Sequence, residues 1–348
     1  MNLKAPALAL SAAGATGVAR AAFRYAAAYA RADREWLRWT AERLGDIGEV
    51  DDVTVLPLAE RVTAGARLRG EPGLSYLVTA GPTRLLFDTG LNMRGQADSA
   101  LVHNAAELGA DLTALDAVVL SHLHADHVGG PGRQRRRTFG FSREPLEPRG
   151  IPAHVPVPMT HDRAETIVTT APKVIAPGVA VLPPLPRALF WIGPVEEQAM
   201  VVNVRGFGLV LLSGCGHPPV ERTLAVAERV LDIPVKGVVG GLHLPVHPLG
   251  TPLIPQAVLG SPHPPWRLVD EKDAATVMDA ISERGPRVVA LSGHDSTPWT
   301  YDRFTERFGG SFNLLRVGER LRISASGGEL TVPPEPAAQA PAARSADS

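Results

Sequence analysis

The chain has 348 residues, with 35 lysines and arginines against 36 acidic residues, a net charge of −1 and a hydrophobic share of 45%. That balance excludes a histone-like basic protein and an acidic solvating protein, and it allows one large domain or two ordinary ones. A single cysteine, Cys215, excludes an internal disulfide and a cysteine-based zinc finger, while 34 glycines and 32 prolines point to long shaped loops.

Met1–Arg20 carries Lys4 and then an Ala/Leu/Gly run, a weak signal-like pattern whose apolar strength is low. The reading is therefore cytoplasmic. No stretch reaches 18 strongly apolar residues, so no membrane span is expected. From Val18 to Leu44 the spacing of Ala22, Tyr25, Tyr29, Ala32, Trp36, Trp39 and Arg43 predicts a helix with an aromatic stripe, ended by Gly45 and Gly48. The stripe is expected to pack on the main domain; a homodimer contact or a membrane surface is the alternative.

From about Val50 to Ile323 short apolar runs alternate with helical patterns. Strands are expected at Val53–Leu56, Ser75–Thr79, Arg84–Asp88, Ala117–Ser121, Val179–Leu182, Ala199–Val204, Leu209–Ser213, Gly237–Gly240 and Val288–Leu291. Helices are expected at Ser99–Leu108, Val220–Leu231, Asp273–Arg284 and Tyr301–Phe308. That is an α/β layered domain. The division is a helical extension over 1–48, a domain over 49–325 and a disordered tail over 326–348, where Pro, Ala, Ser and Gly dominate. Arg133, Arg135 and Arg136 belong to a basic run read as a solvated loop or as a gatherer of an anionic substrate.

The chemistry concentrates in His122-Leu123-His124-Ala125-Asp126-His127, directly after the run Ala117–Leu120. While the chain stays extended, His122 and His124 point the same way; Asp126 and His127 follow once it turns. Three imidazoles and a carboxylate within six residues are costly to bury together without a partner, and a divalent cation is the partner that suits them.

This H-x-H-x-D-H segment resembles the metal-binding signature of the metallo-β-lactamase fold superfamily, and Asp88-Thr89-Gly90 after an apolar strand resembles its early D-T-G turn. The resemblance extends to the branch of ribofuranosyl-aminobenzene phosphate synthases. It is carried by His103–Gly109, Leu115–His122, Glu197-Gln198-Ala199, Ser213-Gly214-Cys215-Gly216-His217 and Gly240-Gly241-Leu242-His243-Leu244. Departures are Gly216 for a serine, Leu242 for a phenylalanine, and Ser292-Gly293-His294-Asp295-Ser296-Thr297 for P-C-H-C-T-G. The resemblance spans roughly Val50 to Ile323. It implies a four-layer αββα sandwich and a metal set of His122, His124, Asp126, His127, His217 and His294. Of these, His122, His124 and His217 would serve one ion, and Asp126, His127 and His294 the other. Asp88 would orient histidines from below. His243 is a ligand or faces substrate. His103, His154, His161, His247 and His263 read as surface or loop residues.

Where hydrolases of the superfamily carry a bridging aspartate, this chain has Cys215. A thiolate binds zinc well; a small packed cysteine is the preferred reading. The ion is expected to be Zn²⁺, with Fe²⁺ or Mn²⁺ as alternatives, one or two per chain. Its hold should weaken below about pH 6.5, where ordinary imidazoles take up protons. Three functions follow from the resemblance and the residues: a metal-dependent hydrolase of an ester, lactone or phosphoester, with Asp126 as proton acceptor; a synthase or transferase on a phosphorylated sugar; or a non-catalytic metal-binding sensor. The partner is a small-molecule substrate, not nucleic acid.

Overall fold

The computed structural model describes residues 4–38, 40, 42–264 and 266–332. In chain order these form α1 (Lys4–Arg38), β1 (Asp52–Ala59), β2 (Ser75–Ala80), β3 (Thr83–Phe87), α2 (Ala100–Glu107), β4 (Ala117–Val119), α3 (Ala125–Val128), α4 (Pro131–Arg136) and β5 (Pro152–Val155). There follow β6 (Glu165–Val168), β7 (Lys173–Ala176), β8 (Val179–Val181), β9 (Leu185–Leu189), β10 (Gly193–Glu197), β11 (Met200–Val204) and β12 (Gly208–Ser213). The remainder is α5 (Val220–Leu231), β13 (Val235–Gly240), α6 (Ile254–Leu259), α7 (Glu271–Ser282), β14 (Val288–Leu291), α8 (Pro298–Phe308), β15 (Phe312–Leu314), β16 (Arg320–Ser324) and β17 (Gly327–Thr331).

Eight strands make one sheet in the order β17-β16-β1-β2-β3-β4-β5-β6, and seven make another in the order β15-β14-β13-β12-β11-β8-β7. The alternation of side chains along each strand builds the layers. In β3, Leu85 and Phe87 face the second sheet, where they meet Met200, Val202, Val210 and Leu212. Leu86, between them, faces outward onto Leu101 and Ala105 of α2. In β12, Val210 and Leu212 turn inward, while Leu209 and Leu211 pack on Leu224, Ala227 and Ile281 of α5 and α7. The central strands are buried on both faces, so they read as continuous apolar runs. The result is helix, sheet, sheet, helix: the four-layer sandwich.

The layers fix where chemistry can sit. Strands β12, β13 and β14 are parallel, as are β3 and β4. The loops after β1, β3, β4, β12, β13 and β14 therefore leave along one edge, where the two sheets meet.

The chain departs from expectation at both ends. Helix α1 begins at Lys4 and stops at Arg38, before Gly45 and Gly48; alanine's helix propensity carries it through Gly14 and Gly17. Tyr25 packs on Phe190, with ring centroids 5.5 Å apart, and its hydroxyl donates to the Pro262 carbonyl at 2.6 Å. Trp36 packs against the outer core beneath α5 and α7. The stripe thus covers its own domain, while Phe23 is 77% exposed; Trp39 lies outside the described residues. At the other end, Gly327–Thr331 is an edge strand paired with β16, so the expected tail does not start at 326. Its side chains are mostly exposed, which is why no apolar alternation marks it. Residues 333–348 lie outside the described residues. Among the described residues no helix is long and apolar enough to cross a membrane.

Phe87 is fully buried between the sheets. Phe87→Ala should lower unfolding stability by about 3–5 kcal/mol, read as a drop in the urea midpoint. Phe23→Ala on the exposed face of α1 should change it by less than about 0.5 kcal/mol.

Candidate metal centre

The first histidine segment folds as its spacing suggests. After β4 the chain stays extended, then turns into α3, whose N-cap is His124 and whose end is Gly129 in the left-handed conformation. The rings of His122 and His124 lie 4.5 Å apart, and those of His122 and His127 4.1 Å. His217 comes from the turn after β12, with its ring 4.9 Å from His122 and 5.0 Å from His124. His294, from the loop after β14, lies 5.2 Å from His127. All six residues named in the sequence thus share one site. His243, after β13, joins them with its ring 5.0 Å from His217.

Cys215 stands at the centre. Its sulfur is 3.1 Å from His127 Nε2 and 3.3 Å from His294 Nε2. Among the described residues, ligand atoms within 4.8 Å of one another occur in three sets: Asp126, His127, Cys215 and His294; His122, Cys215 and His217; Cys215, His243 and Asp295. The buried sulfur thus lies against imidazole nitrogens from two separate loops, a place from which a thiolate could ligate as well as pack. Burial raises its thiol well above the usual range, with further elevation from the Asp126, Asp295 and Glu197 carboxylates.

The donor set suits a divalent cation. His122 Nε2 and His217 Nδ1 are buried with no hydrogen-bond partner among the described residues. Lone pairs so placed are costly unless something binds them. Imidazole, thiolate and carboxylate together match Zn²⁺, Fe²⁺ or Mn²⁺.

Buried carboxylates aim these rings. Asp88 accepts from the Ser121 amide at 2.6 Å, from Ser121 Oγ at 2.6 Å and from His127 Nδ1 at 2.7 Å. Ser121 Oγ in turn meets His122 Nδ1 at 2.9 Å. One aspartate thereby turns two Nε2 atoms toward the centre. It does so from a left-handed backbone, φ +59°, strained for a non-glycine residue.

A parallel arrangement on the other side escaped the sequence reading. Glu60, at the end of β1, accepts from Ser292 Oγ, Tyr76 OH and the Gly293 amide. Ser292 Oγ lies 2.5 Å from His294 Nδ1. Carboxylate, serine and histidine thus repeat the Asp88–Ser121–His122 order. Nothing local distinguishes Glu60 in sequence; only the pairing of β1 beside the loop after β14 reveals it. Glu197 was seen as a motif without a role. It accepts from the amides of Gly214, Gly216 and His217 at 2.8–3.0 Å, clamping the turn that carries Cys215. Gly214 is obligatory there, because a Cβ would fall 2.1 Å from Ser121 Oγ. Asp295 accepts from the His243 amide at 2.8 Å.

Burial sets the protonation. It lowers His124 and His243 to about 4, and lowers His122, His217 and His294 well below the ordinary imidazole value. His127 is the exception. Burial lowers it too, but the Asp126 and Asp88 carboxylates outweigh that and raise it to about 9. The pH 6.5 threshold expected for the histidines as a group therefore gives way to two: about 4 for His124 and His243, and about 9 for His127.

The other sequence candidates lie elsewhere. Arg133 donates to the carbonyls of Phe139 at 2.8 Å and Ser142 at 2.5 Å, bracing its own loop. Arg135 and Arg136 are exposed, and Arg136 borders a cavity that none of the site histidines lines. His154 is buried in β5 rather than in a loop.

Asp88→Ala would leave the buried Ser121 amide and His127 Nδ1–H without acceptors. A loss of at least about 2 kcal/mol in urea unfolding of the cation-free protein is expected; unchanged stability would contradict the bracing role.

The sequence profile of the Beta-lactamase superfamily domain matches residues 83–182. The chain is 23% identical over 249 residues to a 7,8-dihydropterin-6-methyl-4-(beta-D-ribofuranosyl)-aminobenzene-5'-phosphate synthase of Methanocaldococcus jannaschii, covering 58% of this chain and 81% of that protein. Among solved structures it is similar to Tm1679, described as a metal-dependent hydrolase of the beta-lactamase superfamily, with TM-score 0.54 and 20% identity over 78% of this chain and 99% of that one. The metallo-beta-lactamase fold protein YhfI from Bacillus subtilis gives TM-score 0.47 and 15% identity, covering 77% and 98%. The two-sheet sandwich has the metallo-β-lactamase fold, and residues 83–182 within it match the Beta-lactamase superfamily domain.

Proposed function

We propose that this chain is a divalent-metal-dependent hydrolase of an ester, lactone or phosphoester. The observation that carries the reading is the convergence of His122, His127, His217, His294 and Cys215, buried from both sheets, with Asp126 at the mouth. His122, His124 and His217 would hold one ion and Asp126, His127 and His294 a second, with Cys215 between them. When bound, the cation lowers the pKa of a water and polarises the scissile carbonyl or phosphoryl group. Asp126, with 21% of its side chain exposed, reaches both the cluster and solvent and receives the proton that the water gives up. Asp88 and Glu60 keep Nε2 of His127 and His294 turned inward. His243 lines the mouth beside His124 and Asp126, where substrate enters.

A second reading, a synthase or transferase on a phosphorylated sugar, draws on the M. jannaschii relative. Product analysis separates the two: a hydrolase gives only the cleaved acid and alcohol. Retained metal without turnover on any substrate of an ester, lactone and phosphoester panel would instead favour the sensor.

His124→Ala and Asp126→Asn should each reduce turnover at least about 100-fold while the far-ultraviolet dichroism stays unchanged, because apolar burial carries the fold. Chelation should abolish turnover and added Zn²⁺ or Mn²⁺ restore it. Full activity and full metal in His124→Ala would sink the proposal.

Cation binding should also release protons. At pH 7.5 His127, raised to about 9, carries a proton that coordination displaces, and the elevated Cys215 thiol loses another on becoming a ligand. Calorimetry in buffers of different ionisation enthalpy should count about two protons for the wild type and about one for Cys215→Ser. Affinity should rise steeply with pH up to about 9 and less steeply above it, where only the thiol still gives up a proton. Equal counts in the two proteins would show that the thiol does not ligate.

A further inference from the structure

The cavity at the histidine cluster, about 190 Å³, is lined by His124, Asp126, Cys215, His217 and His243. A second cavity, about 300 Å³, shares His217 and His243 with it and runs to Arg187, beside Tyr29 of α1. Its charges are mostly spoken for. Arg222 pairs with Asp33 at 2.9 Å. Asp273 pairs with His263 and Arg267, each at 3.0 Å. Glu221 is exposed at the start of α5. Arg187 differs: its Nε is buried without a hydrogen-bond partner, and no carboxylate pairs with it among the described residues. Its guanidinium carbon lies 5.7 Å from the centre of the Tyr29 ring.

We propose that Arg187 is the anchor of a substrate subsite for an anionic group, a phosphate or carboxylate, on the same molecule whose ester bond reaches the histidine cluster. The proposal rests on the hydrolase reading for that second half. A guanidinium offers a planar fork that matches two oxygens of either group. Ring stacking on one face holds the fork without neutralising it. The register is fixed as well. Arg187 pairs across the hairpin with Val195, two residues before Glu197, the clamp on the His217 turn. The anchor and the cluster are thus tied through one short hairpin. Helix α1 covers that hairpin and supplies Tyr29, which gives this extension a role in substrate selection.

The test is equilibrium binding of inorganic phosphate and, separately, of acetate to the full-length protein at low ionic strength. Wild type, His124→Ala, Arg187→Gln and Arg187→Lys are compared, with folding verified by circular dichroism. Expected is binding in wild type and in His124→Ala alike, weakened at least tenfold in Arg187→Gln and less in Arg187→Lys, which keeps the charge but loses the fork. The anion that binds in this Arg187-dependent way, phosphate or acetate, identifies the group. Absence of binding by either anion in the wild type, or equal binding in Arg187→Gln, would overturn the subsite. Turnover of the metal-loaded wild type is read separately: absent turnover with Arg187-dependent anion binding intact is failure of the hydrolase reading alone, and turnover without Arg187-dependent binding is failure of the subsite alone.

Discussion

Five imidazoles and a thiol are buried together at the seam of two sheets, and the surrounding structure is arranged to make that tolerable. Each ring needs one nitrogen satisfied by protein and one left facing the centre. Asp88 does this for His127 directly and for His122 through Ser121; Glu60 does it for His294 through Ser292. Glu197 holds the main chain of the Cys215 turn instead. Three carboxylates from three different strand ends therefore converge beneath one cluster. Burial raises all three above their usual range, a cost that the fold accepts only where donors surround them.

Strain gathers at the same edge. Asp88 and His243 sit in left-handed backbone, and Gly214 leaves no room for a side chain against Ser121. Away from this edge the sandwich is built of three apolar clusters, two large sheets and the small β9–β10 hairpin. The division of labour suits a scaffold that supplies stability from the core and spends part of it on rigid placement of polar groups.

Much of this was legible before any coordinates. The continuous apolar runs located β2–β4 and β11–β14 within a residue or two and β1 within three, and the H-x-H-x-D-H segment gave the centre its first wall. The short strands β5, β9, β10 and β16 were not expected, and two further kinds of feature failed to show. Exposed edge strands such as Gly327–Thr331 carry no alternation, because nothing buries them. Glu60 has no local signature, and neither its hold on Ser292 nor that of Asp295 on the His243 amide is legible locally, the partners lying 232 and 52 residues apart in the chain. The surroundings of Cys215 were hidden for the same reason. A lone cysteine after a glycine reads as packing until His127 and His294, from separate loops, are found on either side of its sulfur.

The most direct test of this arrangement is anomalous diffraction at the zinc edge from crystals grown with Zn²⁺. Expected is density at the centre of the cluster, about 2.0–2.1 Å from imidazole nitrogens contributed by both the His122–His127 segment and His217 or His294, and about 2.3 Å from the Cys215 sulfur. Density confined to surface carboxylates, with the cluster histidines free of metal, would contradict the account.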